Sequence, residues 1–287
     1  MVLQLFITGI SMGMLYALMA MGLILIVKAV GVLNFAHGQL FMLGAYITWS
    51  LTNQLKLPLW AMIIAMIVCF CIVGLSFMFT VYWPLRNSPW KVTVVISTLG
   101  ASIALKEAVR LIWSFIPLLS KPLIDKVIRI GDAVMNVQYI FIIIISGALM
   151  LFVYFLFEKT FIGKIMQATA QNRYAAELIG IPSVVAIAGT YMISMCMSGV
   201  GGWLAAPLFL VSQSLGTFAQ KAFAGIVVGG FGSIKGAVVG CVLVGLIESF
   251  SILITDAYKD AVVFGVLILV LIIRPTGIFG EKIEEKA

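Results

Sequence analysis

The chain has 287 residues, of which 63% are hydrophobic and only 10% charged, with a mean hydropathy of +1.18. Soluble domains carry roughly 25% charged residues, so this composition excludes a soluble enzyme or binding domain and describes an integral membrane protein. The formal net charge of +7 would suggest nucleic acid in a soluble protein, but here the basic residues sit in short gaps between apolar runs, where they orient the chain in the membrane.

A span needs about 20 mostly apolar residues, and the sequence supplies them repeatedly. The first runs from Val2 to Val27; its start, MVLQLFITGISMGML, lacks a basic n-region and reads as a span rather than a removable signal peptide. The second, Val30 to Thr52, contains NFAHG and is polar at its start. The third covers Leu57 to Trp83, and the fourth, Val92 to Ile116, carries Lys106, Glu107 and Arg110. Glu107 and Arg110 are three apart and neutralise each other, with long side chains reaching the interface. A mixed-charge segment, Lys121 to Asp132, precedes the fifth span, Gln138 to Phe157. A polar stretch follows, then a sixth span from Val184 to Val211 and a long apolar region, Gly216 to Ile254, interrupted by GGFGSIKG. The last span, Ala261 to Ile273, is closed by Arg274, Pro275 and the charged tail EKIEEKA.

This predicts an all-α polytopic bundle of about 8–9 spans, one transmembrane domain over 1–287, with a broken or re-entrant helix near 221–236. Lys28, Arg86 with Lys91, then Lys159, Lys164 and Arg173, then Arg274 fall at alternate ends of successive spans. The positive-inside rule places them in the cytoplasm, with the N-terminus outside and the C-terminus inside.

Most of the 27 glycines suit close helix packing. In GGFGSIKGA, however, Gly229, Gly230, Gly232 and Gly236 favour unwinding, and unwound backbone at depth lines protein or a cavity. The segment is not a phosphate loop, because GxxxxGK[ST] is absent throughout the chain. Asn34, His37 and Gln39 are polar at the start of an apolar helix; they either satisfy backbone where the chain re-enters the membrane or line a path. A single histidine without companions makes no metal site. Glu248, alone in VLVGLIESF, is a further path candidate. The four cysteines lie in apolar runs without a disulfide or metal pattern, and no nucleophile–base pairing suggests catalysis.

The stretch from Glu158 to Pro182 is too polar for hydrocarbon, yet its only breakers are Gly163, Gly180 and Pro182, the last two ending the helix. Met166, Ala170, Tyr174 and Leu178 follow at steps of four, predicting an amphipathic helix outside the bilayer that docks something soluble.

GMLYALMAMGLILIVKAVGVLNFAHGQLFMLGAY resembles the opening of the branched-chain amino acid ABC transporter permeases of the LivH type. The likeness continues through QATAQNRYAAELIGI, AFAGIVVGGFGSIKGAVVGCVLVGLIES and YKDAVVFGVLILVLIIRPTGIFG, in the same order over essentially the whole chain, although the loop after the fourth span is short and different. The resemblance implies a non-enzymatic importer subunit of a bacterial or archaeal inner membrane. A solute-binding protein delivers solute outside, a second, related permease forms a heterodimer, and separate ATPase subunits use ATP and Mg, none of it bound by this chain. It further implies that Gln167 to Ile181 is the ATPase coupling region: Ala175, Ala176 and Gly180 in the ATPase cleft, Arg173 and Glu177 making polar contacts, with Gln171 and Asn172 beside them. Permeases of the same family for urea, short amides or other amino acids are the nearest alternative. A stand-alone secondary transporter or channel is the alternative of another class, and leaves the polar helix without a role.

Overall fold

The computed structural model describes residues 2–279 except 114, 123, 125, 131, 132 and 254–257; Asp132, Ile254 and the tail EKIEEKA therefore lie outside the described residues. The chain divides into two compact units, Met1–Met21 with Pro122–Gly147 and Thr217–Ala287, and Gly22–Lys121 with Ala148–Gly216. Helix α1 (Val2–Val30) contributes its first part to the former and its end to the latter.

In the second unit, α2 (His37–Trp49) continues as a π-helical turn to Gln54, and α3 (Leu59–Phe77) likewise extends through Met78–Tyr82 to Leu85. Helix α4 (Lys91–Trp113) precedes an extended stretch whose Leu118 exchanges backbone hydrogen bonds of 2.9 Å with Val211. The indoles of Trp49 and Trp113 donate to Leu119 O at 2.9 Å and Ser50 Oγ at 2.6 Å, tying this stretch to the end of α2. Helix α5 (Gln138–Lys159) is followed by α6 (Phe161–Gln171), α7 (Arg173–Leu178) and α8 (Ser183–Ala205). Helix α8 packs along α2 and α3 because small residues let the backbones meet: Gly44 lies against Gly199, and Gly202 against Phe41 and Ala45.

The first unit holds a two-stranded antiparallel ribbon, β1 (Val127–Ile130) with β2 (Ala133–Asn136), then α9 (Phe218–Gly229), α10 (Ile234–Ser251) and α11 (Lys259–Ile273). The strands VIRI and AVMN pair antiparallel where the sequence read as a mixed-charge segment, a small addition to the mostly helical fold that was expected. The break after α9 is present as expected. Gly229 ends the helix, Gly230 and Gly232 take φ of +112° and +97°, and Ser233 Oγ accepts Gly236 N–H at 3.1 Å to start α10. Gly225 and Gly229 contact Cys241, Gly240 and Gly236 in descending order, so α9 and α10 form a close antiparallel pair. Ile278 and Phe279 donate to the carbonyls of Val228 and Gly229 at 3.0 and 2.9 Å, satisfying the end of α9.

Six helices among the described residues are long and apolar enough to cross a membrane: Val2–Val30, Leu59–Leu85, Val92–Trp113, Gln138–Lys159, Ser183–Ala205 and Ile234–Ser251. The α-helices α2, α9 and α11, at 13, 12 and 15 residues, fall outside this set by length. Exposed Leu, Ile, Phe and Val along α3, α4, α5 and α11 are the lipid-facing surface of such a protein.

Candidate coupling element and polar sites

The polar stretch from 158 to 182 is two helices, not one. Thr160 caps α6 by accepting Gly163 N–H at 3.2 Å, and Gly163 sits so close to the carbonyls of Leu156 and Phe157 that only hydrogen fits there. Asn172 then adopts extended backbone (φ −153°, ψ 101°) and its Oδ1 accepts Ala175 N–H at 3.0 Å, so α7 starts afresh. The expected stripe is split accordingly. Met166 is 5% exposed beneath α6, whereas Tyr174 and Leu178 are 72% and 71% exposed and, with Ile179, form an apolar surface on α7. Gly180, with φ +84°, and Pro182 close the element as expected.

Of the expected coupling residues, Gln171, Asn172, Ala175, Glu177 and Gly180 are exposed. Ala176 is buried, at 3% exposure. Arg173 and the exposed Glu177 also bond within the chain. Arg173 Nε donates to Glu177 Oε1 at 3.0 Å and to Ser183 Oγ at 3.3 Å; Ser183 Oγ donates to the same carboxylate oxygen. The guanidinium also lies 5.5 Å from the Trp83 ring centroid, with Arg86 stacked 3.7 Å from that ring. The Ser183 hydrogen bond first, then Arg173, hold the Glu177 carboxyl below the ordinary carboxylate range. These contacts clamp α7 to the first residue of α8. The sequence signal was the i, i+4 spacing of Arg173 and Glu177; the part played by Ser183 and Trp83 was not visible in it.

Asn34 lies in the turn before α2, while His37 and Gln39 are on the helix itself. Its Oδ1 accepts Ala36 N–H at 3.0 Å and its carbonyl accepts His37 N–H at 3.2 Å, the backbone-satisfying role that re-entry requires. Its Nδ2 is buried without a hydrogen-bond partner among the described residues, as is Gln39 Oε1. His37 is fully buried, with Nε2 2.8 Å from Ser198 Oγ and its ring against Gly22.

Glu248 is not alone. Tyr16 donates to its Oε2 at 2.6 Å, and Lys221 bridges Oε1 at 2.5 Å and Asp260 Oδ1 at 2.9 Å. This network, drawn from α1, α9, α10 and α11, explains how a carboxylate 7% exposed survives among apolar helices. Gly229 is occupied in packing, and Gly230 and Gly232 in the turn, so Glu248 and the three glycines all have structural work in one unit. Asn34, His37 and Gln39 lie in the other. Among the described residues no group of three metal-ligating side chains exists.

The family described as branched-chain amino acid transport system, permease component, matches residues 5–271. The high-affinity branched-chain amino acid transport system permease protein BraD of Pseudomonas aeruginosa is 33% identical over 300 residues, covering 99% of this chain and 97% of that protein. The LivH proteins of Salmonella typhimurium and Escherichia coli K12, which carry the same description, are 30% identical over the same shares. The solved structure of PsaBC from Streptococcus pneumoniae in complex with Fab matches with a TM-score of 0.51 over 95% of this chain and 91% of that one; at 14% identity it speaks to fold alone. With its apolar helices, glycine-packed cores and two-helix polar element accounted for, the chain belongs to the permease component family of branched-chain amino acid transport systems.

Proposed function

We propose that the chain is one permease subunit of an ABC importer that carries branched-chain amino acids across the inner membrane of a bacterium or archaeon. Membership of the family over 5–271 supports the role, and the printed description of BraD and LivH supports the solute class. The structural observation that carries it is the exposed apolar surface of Tyr174, Leu178 and Ile179, on a helix outside the spans. Such a patch on an aqueous face is stabilised by a covering protein. The occupant is an ATPase subunit, which also meets Gln171, Asn172, Ala175 and Gly180; ATP and Mg stay with that subunit. A solute-binding protein delivers from outside, and a second related permease completes the path.

In this reading α7 works as a rigid lever. Closure of the ATPase pair displaces it, and the Arg173–Glu177–Ser183 clamp passes the displacement to α8, hence to α2 and α3 packed along it. Asn34 Nδ2 and Gln39 Oε1, buried polar atoms with no hydrogen-bond partner among the described residues, are the groups on this route available to water or solute. Solute choice rests with the binding protein, so the permease needs an adaptable path more than a tight site.

The test is uptake of labelled leucine, isoleucine and valine into proteoliposomes holding both permeases and the ATPases, with binding protein supplied, and urea and acetamide as competitors. Leu178→Glu with Ile179→Glu removes two apolar contacts of about 1.5–3 kcal/mol each, so ATPase retention should fall more than about tenfold. Membrane insertion should be unchanged and ATP-dependent uptake lost. Full uptake by the double variant would overturn the coupling site.

A further inference from the structure

A cavity of about 250 Å³ opens beside the end of α1, lined by Lys28, Phe157, Gln167, Ala170 and Gln171. Its floor is apolar, from the Phe157 ring and Ala170. Its lining comes from three elements, α1, the end of α5 and α6, with the polar side chains on α1 and α6. The Lys28 ammonium stands 5.8 Å from the Phe157 ring centroid and has no ion pair or hydrogen bond among the described residues. Gln167 is already fixed, donating to Phe157 O at 2.7 Å, while the Gln171 side-chain amide makes no hydrogen bond among the described residues. The cavity therefore holds one positioned cation, one available amide and a small apolar wall.

Its surroundings say which anion. The cavity lies where two apolar spans end, at Val30 and Lys159, against the last residues of α6. At the other end of α6, Phe161 and Ile162 are 77% and 57% exposed, beside exposed Lys159 and Lys164, with Glu158 the acid in the group. Bare aromatic and aliphatic side chains interleaved with lysines are the pattern of a helix lying in the headgroup layer. A soluble anion needs no such apolar rim; an acyl-chain-bearing phosphate does.

We propose that this cavity binds the phosphate of an anionic phospholipid, with Lys28 as its counter-cation and the Gln171 amide as a donor. Phe161 and Ile162 sit in the adjoining acyl region. Gln171 immediately precedes the Asn172 cap of α7, so a lipid held here fixes the hinge between α6 and the proposed coupling helix. The site requires only that the α5–α6 junction meet a membrane interface and is independent of the solute; it shares Gln171 with the proposed coupling surface.

Native mass spectrometry of the purified permease, alone and with its ATPase, can count retained phosphatidylglycerol against phosphatidylcholine. A lysine at an anionic membrane surface contributes about fivefold in binding, so Lys28→Gln should lower phosphatidylglycerol retention by about that factor. Lys28→Arg should keep it, and Lys159→Gln, which changes an exposed lysine outside the cavity, should lower it less. Equal retention by wild type and Lys28→Gln overturns the site. So does displacement of the lipid by glycerol phosphate at matched concentration, which would make it a soluble-anion site. Loss of ATPase from Lys28→Gln with lipid retention unchanged would assign the cavity to the partner protein and likewise overturn it.

Discussion

At the scale of single residues, glycine does two unrelated jobs here, and they can be separated. Gly44 is pressed against the Gly199 backbone where α2 meets α8, with ordinary helical dihedrals, so what matters is the missing Cβ. Gly180 has open space around it but a φ of +84°, so what matters is the backbone. Gly44→Ala should cost about 1–3 kcal/mol through overpacking, and Gly180→Ala about 1–2 kcal/mol through the left-handed conformation. Asparagine tells them apart. Gly180→Asn should recover much of the loss, since asparagine tolerates that region, whereas Gly44→Asn should be worse than alanine. The thermal midpoint in detergent of the four variants reads this directly; asparagine restoring both positions would refute the distinction. The sequence marked Gly180 as the end of the polar element but carried Gly44 only within the glycine composition, since neither a φ nor a neighbouring backbone is visible in a string of letters.

At the scale of elements, the clamp on α7 makes a pH prediction. The Glu177 carboxyl is held below its ordinary range by Ser183 and then Arg173. A depressed folded-state value means the contact is fully present above the unfolded value, near 4, and is lost as pH falls through the lower folded one. The clamp is therefore intact throughout the neutral range and opens only in acid. A spin label at Ala175→Cys, in a background without the native cysteines, should stay immobile from neutral pH down to about 4 and gain mobility below it. In Glu177→Gln the label should be mobile at neutral pH and indifferent to acid. A wild-type label already mobile at neutral pH would show that α7 is not clamped. The polar stretch was legible as a separate polar helical element because its composition and its Gly180 and Pro182 terminus are local signals. Its division at Asn172 was not: the step-of-four stripe runs through the break, and one side-chain cap outweighs that pattern. Glu248 failed in the opposite sense. It looked alone because Lys221 and Asp260 are distant in sequence and only the packing of α9, α10 and α11 brings them to it.

At the scale of the whole molecule, apolar runs reported where helices lie, but not which of them traverse the bilayer. The run Val30–Thr52 looks like a full span, yet turns at Gly31–Ala36 leave α2 with 13 residues before its π-helical extension to Gln54, and the glycine-rich break at 230–233 divides the long run from Gly216 into α9 and α10. Helix α9 is the decisive piece. Its 12 residues reach about 18 Å at ~1.5 Å each, well short of a hydrocarbon core of about 30 Å. Placing the N-terminus outside and Arg274 inside requires an odd number of crossings. With α1, α2, α3, α4, α5, α8, α10 and α11 all crossing, that number is reached only if α9, with its flanking turns, also carries the chain across. Single cysteines at Val2, Ala175 and Arg274, in a background without native cysteines, test this with a membrane-impermeant maleimide on intact spheroplasts. Val2→Cys should label from outside, while Ala175→Cys and Arg274→Cys should label only after lysis. If Val2→Cys and Arg274→Cys behave alike, the termini share a side and α9 turns back within the membrane. If Ala175→Cys labels from outside, α7 cannot meet a cytoplasmic ATPase, and the proposed coupling fails whatever solute the protein carries.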